Sequence, residues 1–94
     1  MKKNILVVED DPELRKLMRK HLESAGHEVR EVGTGRAAIS HCETQLPDLI
    51  CLDLMLPELS GYQVCEALRK NPVTSRVRIL VVSARTLPED RAFA

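Results

Sequence analysis

Acidic residues follow directly on two short apolar runs: Glu9-Asp10-Asp11 after Ile5-Leu6-Val7-Val8, and Asp53 after Leu49-Ile50-Cys51-Leu52. A third run, Ile79-Leu80-Val81-Val82, is followed by Ser83. Open parallel α/β sheets bind ligands beyond the carboxyl ends of their strands, near the point where the strand order reverses. If the first and third strands are neighbours, Glu9, Asp10 and Asp53 share one cleft with Ser83 alongside. Two like charges about 4 Å apart repel by roughly 4 kcal/mol at an effective dielectric near 20, so such a cluster needs a proton or a cation. Oxygen-only ligands, few in number and with room for water, suit Mg²⁺ better than Zn²⁺, which favours His and Cys. A metal there could bridge an incoming phosphoryl group while a carboxylate oxygen attacks phosphorus to form an aspartyl phosphate. Asp53 stands alone at its strand end and is the expected nucleophile. Glu9 and Asp10 are then left to the metal.

Each of these residues also has an ordinary reading. Asp11 precedes Pro12 and reads as a helix cap before a metal ligand. Asp53 alone would pass for a turn residue, and Ser83 for a cap or loop hydroxyl. The constellation raises Asp53 above that, while on the residues alone Ser83 stays evenly balanced between the two readings. His21, His27 and His41 follow no ligand or catalytic spacing and are expected at the surface or its boundary. Cys42, Cys51 and Cys65 are odd in number, lie in apolar segments and lack metal-ligand spacing, so they read as reduced core thiols.

The elements that must position this chemistry are marked by their own punctuation. The three apolar runs are too short for helices and too continuous for half-exposed strands, as befits a parallel sheet buried on both faces. A weaker strand candidate runs from His27 to Val32 and suits an edge. Between the strands lie helical patterns. Leu14, Leu17, Met18 and Leu22 recur at helical spacing within residues 12–25, where Asp11 can cap, Pro12 fits the first turn and Gly26 fits a left-handed stop. Thr34 caps a second helix burying Ala38, Ile39 and Cys42 and ending before Pro47. Ser60 and Gln63 form a capping box for a third, which buries Val64, Ala67 and Leu68 and stops at Asn71-Pro72. Arg69-Lys70 supplies favourable charge at its end. The order βαβαβαβ predicts an α/β fold with right-handed crossovers. Thr86 with Glu89 opens a further helix pattern only a few residues before Ala94, which reads as interrupted.

Ninety-four residues make one domain, and 44% hydrophobic with 30% charged residues is ordinary for a globular chain. Fourteen basic and fourteen acidic residues cancel, so no bulk charge draws this segment to nucleic acid or an anionic membrane. The start lacks a signal-peptide core and no apolar run approaches a membrane span, so a cytoplasmic location is expected.

The segments ILVVEDDP at 5–12, DLICLDLMLPELSG at 48–61 and ILVVSA at 79–84 resemble the receiver domain of two-component response regulators, in order and in spacing. The resemblance covers Lys3 to about Arg91. It implies a flavodoxin-like doubly wound parallel sheet of order 2-1-3-4, lacking the fifth strand and last helix. It also implies a signalling domain with at most self-catalysed phosphotransfer and dephosphorylation. Asp53 would be the phospho-acceptor and Glu9 and Asp10 the acidic pair for Mg²⁺, with Met55 ligating through its backbone carbonyl. Pro57 and Gly61 would shape the following loop. Ser83 would contact the phosphoryl group, with Ala84 leaving room for it. The implied donor is a sensor histidine kinase or phosphotransfer protein docking around the first helix and active-site loops.

Receivers carry a lysine at the end of a fifth strand that contacts the phosphoryl group, and none of Lys2, Lys3, Lys16, Lys20 or Lys70 lies where it belongs. Impaired phosphorylation is therefore expected, together with self-association or segment exchange through an exposed strand-four edge. The alternative reading is a truncated or degenerate receiver serving as an interaction module. Two rivals fall behind. A haloacid-dehalogenase-type hydrolase needs a second Asp where Met55 stands, and the Glu9-Asp10-Asp11 loop would repel an unscreened nucleotide phosphate.

Overall fold

The computed structural model describes residues 2–82, and within them the expected alternation is present. It runs β1 (Asn4–Val8), α1 (Pro12–Ser24), β2 (Glu28–Val32), α2 (Gly35–Thr44), β3 (Leu49–Asp53), α3 (Gly61–Lys70) and β4 (Arg78–Val82). The expected roles of Ser83 and Ala84 and the helix start at Thr86 and Glu89 lie outside the described residues. Among the described residues no helix is long and apolar enough to cross a membrane.

All strand pairs are parallel, in the flavodoxin-like order β2-β1-β3-β4. The weak candidate β2 therefore takes an edge, as its poor alternation suggested. Alternation along the central strands divides the core between two faces. Leu6, Val8, Ile50 and Leu52 pack with Ala38 and Cys42 of α2 and Val64 and Leu68 of α3. Ile5, Val7, Val29 and Cys51 pack with Met18 and Leu22 of α1. The apolar runs of β1 and β3 are continuous because both faces of these strands are covered. Each fully buried Leu or Ile contributes about 1.5–3 kcal/mol. The run of β4 meets less cover: at this edge among the described residues, Leu80 and Val81 remain 53% and 45% exposed.

Local signals fix the helix ends. The Asp11 carboxylate accepts from the Glu13 and Leu14 amides at 3.0 and 3.5 Å. At the other end of α1, Gly26 adopts φ 94°, its N–H donates to the Glu23 carbonyl, and His27 N–H donates to that of Leu22. These two bonds form a Schellman motif, which stops the helix and turns the chain into β2. Thr34 Oγ1 accepts from the Ala37 amide at 3.1 Å, and Ser60 and Gln63 form the reciprocal capping box.

Two side chains differ from expectation. Leu17 is half exposed, because it lies about 100° around α1 from Met18, on the flank of the buried stripe. Arg69 is more than a favourable end charge: its Nη1 donates to the carbonyls of Ser75 and Val77 at 2.9 and 2.7 Å, tying the loop before β4 to the end of α3. The buried Thr74 adds a hydroxyl bond of 2.6 Å to the Leu68 carbonyl. Cys42 and Cys51 are buried and Cys65 half-buried, all three free, and burial pushes their thiols up. They are free thiols in or beside the core, in keeping with the sequence reading of reduced core thiols.

Between β3 and α3, Glu58 holds φ 62°, the sole left-handed non-glycine among the described residues. That conformation costs a residue with a Cβ roughly 1–2 kcal/mol, and asparagine tolerates it better. Glu58→Asn is expected to raise stability by about 0.5–1 kcal/mol, read as a higher urea midpoint. A lower midpoint would show that the Glu58 side chain contributes more than the backbone strain removes.

Candidate functional site

Register brings the acidic residues together. Val8 is level with Leu52 in the β1–β3 pair, so Glu9, the next residue, stands beside Asp53 at the carboxyl end of β3. Asp53 is also in step with Leu49 and Cys51 on the α1 side of the sheet, and Glu9 with Ile5 and Val7. Glu9 and Asp53 are fully buried and Asp10 is half-buried. One carboxylate oxygen from each of the three lies within 4.8 Å of the others. The structure thus brings Glu9, Asp10 and Asp53 together at one end of the sheet.

Backbone amides orient two of these carboxylates. Asp11 N–H donates to Glu9 Oε2 at 2.8 Å, and Met55 N–H donates to Asp53 Oδ1 at 2.9 Å. In both cases the donor lies two residues on, where the chain turns away from the strand end. Asp11 is therefore cap and amide donor together, in keeping with its reading as a cap. The Met55 side chain is exposed, while its amide stands against the Asp53 carboxylate. The loop after Asp53 is held close by Gly61. A Cβ there would lie 2.6 Å from Leu54 Cα and 2.7 Å from the Asp53 carbonyl oxygen, so only glycine lets α3 begin so near the strand end.

At separations up to 4.8 Å, each ionised pair repels by roughly 3 kcal/mol at an effective dielectric near 20. A hard divalent cation would relieve this, and three carboxylate oxygens are suitable donors for Mg²⁺. The three residues fit that ion by donor chemistry.

A network not anticipated from sequence flanks the cluster. Arg15 Nη1 donates to the Glu9 carbonyl at 3.0 Å, and Arg15 Nε to Glu31 Oε1 at 3.1 Å. The other Glu31 oxygen accepts from Arg19 Nη1 at 3.2 Å, and Arg19 Nε donates to Glu23 Oε2 at 3.1 Å. The spacing of Arg15, Arg19 and Glu23 at intervals of four was a visible signal of one helix face, but the contact with Glu31 required the α1–β2 packing.

The model of the response regulator receiver domain family matches residues 5–94. The chain is 41% identical over 87 residues to the phosphate regulon transcriptional regulatory protein PhoB of Rhizobium meliloti (strain 1021), covering 93% of this chain and 38% of that protein. It is 40% identical over 80 residues to the alkaline phosphatase synthesis transcriptional regulatory protein PhoP of Bacillus subtilis (strain 168), covering 85% of this chain and 33% of that one. The chain thus spans between 33% and 38% of the length of these curated relatives. Among solved structures, the receiver domain of sensor histidine kinase PA1611 from Pseudomonas aeruginosa PAO1, with a magnesium ion coordinated in its active site cleft, superposes with TM-score 0.85 at 34% identity. That match covers 98% of this chain and 75% of that one.

The network beside the site has a pH signature. Burial raises the Glu31 carboxyl, but the hydrogen bonds from Arg15 and Arg19 outweigh it and hold the group below its ordinary value. A carboxyl lowered by folding adds stability that is complete above its unfolded pKa and is lost as pH falls through its folded one. Between about pH 5 and about pH 3, Glu31→Gln should therefore lose less of its urea midpoint than the parent. Parallel midpoint curves would show that Glu31 contributes no acid-sensitive stability.

Proposed function

The chain belongs to the response regulator receiver domain family, and on that premise we propose that Asp53 accepts a phosphoryl group in a Mg²⁺-dependent signalling switch. The observation that carries the reading is the convergence of Glu9, Asp10 and Asp53 within 4.8 Å at one end of the parallel sheet. It favours a phospho-acceptor over a module that only binds partners.

In this reading Glu9, Asp10 and Asp53 would hold the ion through carboxylate oxygens, and Met55 through its backbone carbonyl. Bound Mg²⁺ would supply charge neutralisation for the incoming phosphoryl oxygens. The Met55 amide holds the Asp53 carboxylate plane, so the nucleophile is oriented before the donor arrives. An Asp53 oxygen attacks phosphorus as the P–N bond of a phosphohistidine breaks, and the electron pair returns to the imidazole of the donor. The donor is a sensor histidine kinase or phosphotransfer protein. Ser83 contributes a hydroxyl to the phosphoryl group; support comes from the register, because β4 ends at Val82 level with Asp53 and Ser83 follows in the chain. The location is cytoplasmic. Self-association through β4 is a secondary proposal, supported by the exposure of Leu80 and Val81 on that strand.

Intact-mass measurement after incubation with acetyl phosphate tests the assignment. A single phosphoryl adduct, partial in yield, is expected in the unmutated chain with Mg²⁺, and none in Asp53→Asn or after chelation. An adduct that persists in Asp53→Asn would overturn the role of that residue. For β4, sedimentation at rising concentration should show a dimer that a Leu80→Lys and Val81→Lys double variant loses; a concentration-independent monomer would remove the self-association proposal.

A further inference from the structure

The geometry points to Arg15 as a positioning residue for the divalent-cation site, acting through the backbone of Glu9 rather than by touching the ion. The inference rests on the reading that Glu9, Asp10 and Asp53 hold a cation. The Glu9 residue is gripped at three points. Its N–H donates to the Val32 carbonyl at 3.2 Å, its carbonyl accepts from Arg15 Nη1 at 3.0 Å, and its carboxylate accepts from the Asp11 amide at 2.8 Å. The Glu9 carbonyl and the Asp10 N–H belong to one planar peptide unit. Fixing the carbonyl direction therefore fixes the starting direction of Asp10, the next member of the cluster.

Arg15 is itself held in place. Its Nε is bonded to Glu31 at the end of β2, and Glu31 is bonded in turn to Arg19 one helical turn further along α1. A guanidinium presents several donors in a rigid plane, so one side chain can grip a carboxylate and a carbonyl together. Gly33 is the second, independent sign. A Cβ at that position would lie 3.0 Å from Arg15 Nη1 and 4.0 Å from the Glu9 carbonyl oxygen. Among the described residues, Gly26 is the glycine with positive φ, so the backbone at position 33 does not demand glycine. The missing side chain leaves space for the guanidinium on its way to Glu9.

The electrostatics make the inference decidable. A guanidinium bonded to the Glu9 carbonyl carries positive charge next to the cluster and opposes a divalent cation there, so through charge alone its removal tightens binding. Through positioning, its removal loosens binding, since residues that orient metal ligands are worth about ten- to a hundredfold in affinity. The two effects have opposite sign.

The test uses the whole chain with Mn²⁺ as the probe, free ion being counted by electron paramagnetic resonance and confirmed by competition with Mg²⁺. Arg15→Met, which keeps length without a donor, should weaken binding about tenfold. Gly33→Ala changes no charge and should weaken binding less. Arg15→Lys, with its charge intact but without the planar fork, should fall between the parent and Arg15→Met. Urea midpoints without metal confirm that each variant is folded, and Gly33→Ala carries the test if Arg15→Met does not fold. Tighter or unchanged binding in the folded variants overturns the positioning role while leaving the cation site intact. Parent binding that is indifferent to Asp10→Asn and Asp53→Asn, or no binding at all, removes the site and the role of Arg15 with it.

Discussion

Mutual repulsion among Glu9, Asp10 and Asp53 is the constraint around which the carboxyl end of the sheet is organised. Two of the three groups are fully buried and all lie within 4.8 Å, so solvent screening relieves little of it. Hydrogen bonds from backbone amides are brought to the same place and offset part of this repulsion. The Asp11 and Met55 N–H groups reach the carboxylates from chain segments that turn immediately after β1 and β3. A bound cation would add to the neutralisation, and carboxylate oxygens suit a hard divalent ion.

The parallel sheet supplies the rigidity that such a cluster requires. β1 and β3 are covered on both faces, by α1 on one side and by α2 and α3 on the other, and their side chains are immobilised by packing up to the last apolar residue. Loops then begin abruptly. Pro12 and the Asp11 cap start α1 directly after the acidic pair, and Gly61 lets α3 start against the backbone of Asp53 and Leu54. The edges are treated differently. β2 is anchored through Glu31 to Arg15 and Arg19, whereas β4 keeps apolar side chains half exposed.

The site is joined to the rest of the domain through backbone groups as well as side chains. The path from Glu31 to Arg15 to the Glu9 carbonyl joins the end of an edge strand, the first two turns of α1 and the β1 terminus within three hydrogen bonds or contacts. This is a physical connection between the helix surface and the acidic cluster, and it uses no residue of the cluster's own side chains.

Sequence by itself determined the element order, the helix caps and the residues at the strand ends, because these depend on local rules. Alternation of apolar runs with helical patterns, the capping box at Ser60 and the glycine stop at Gly26 can each be read within a few neighbouring residues, and each is present in the fold. The family resemblance added the strand order, which local pattern leaves open. What only the tertiary structure decided was relative placement across elements. The depth of Glu9 and Asp53, the exposure of Leu17, the clasp of Arg69 on Ser75 and Val77, and the bond from Arg15 to the Glu9 carbonyl all depend on how helices sit on the sheet. A long, flexible arginine has several partners within reach of its Cα, and the packing angle of its helix selects among them. Glu9, Asp10 and Asp53 were legible as candidates because strand ends in a parallel sheet align, whereas Arg15 was not, because nothing local tells a helix-surface arginine which carbonyl it will meet.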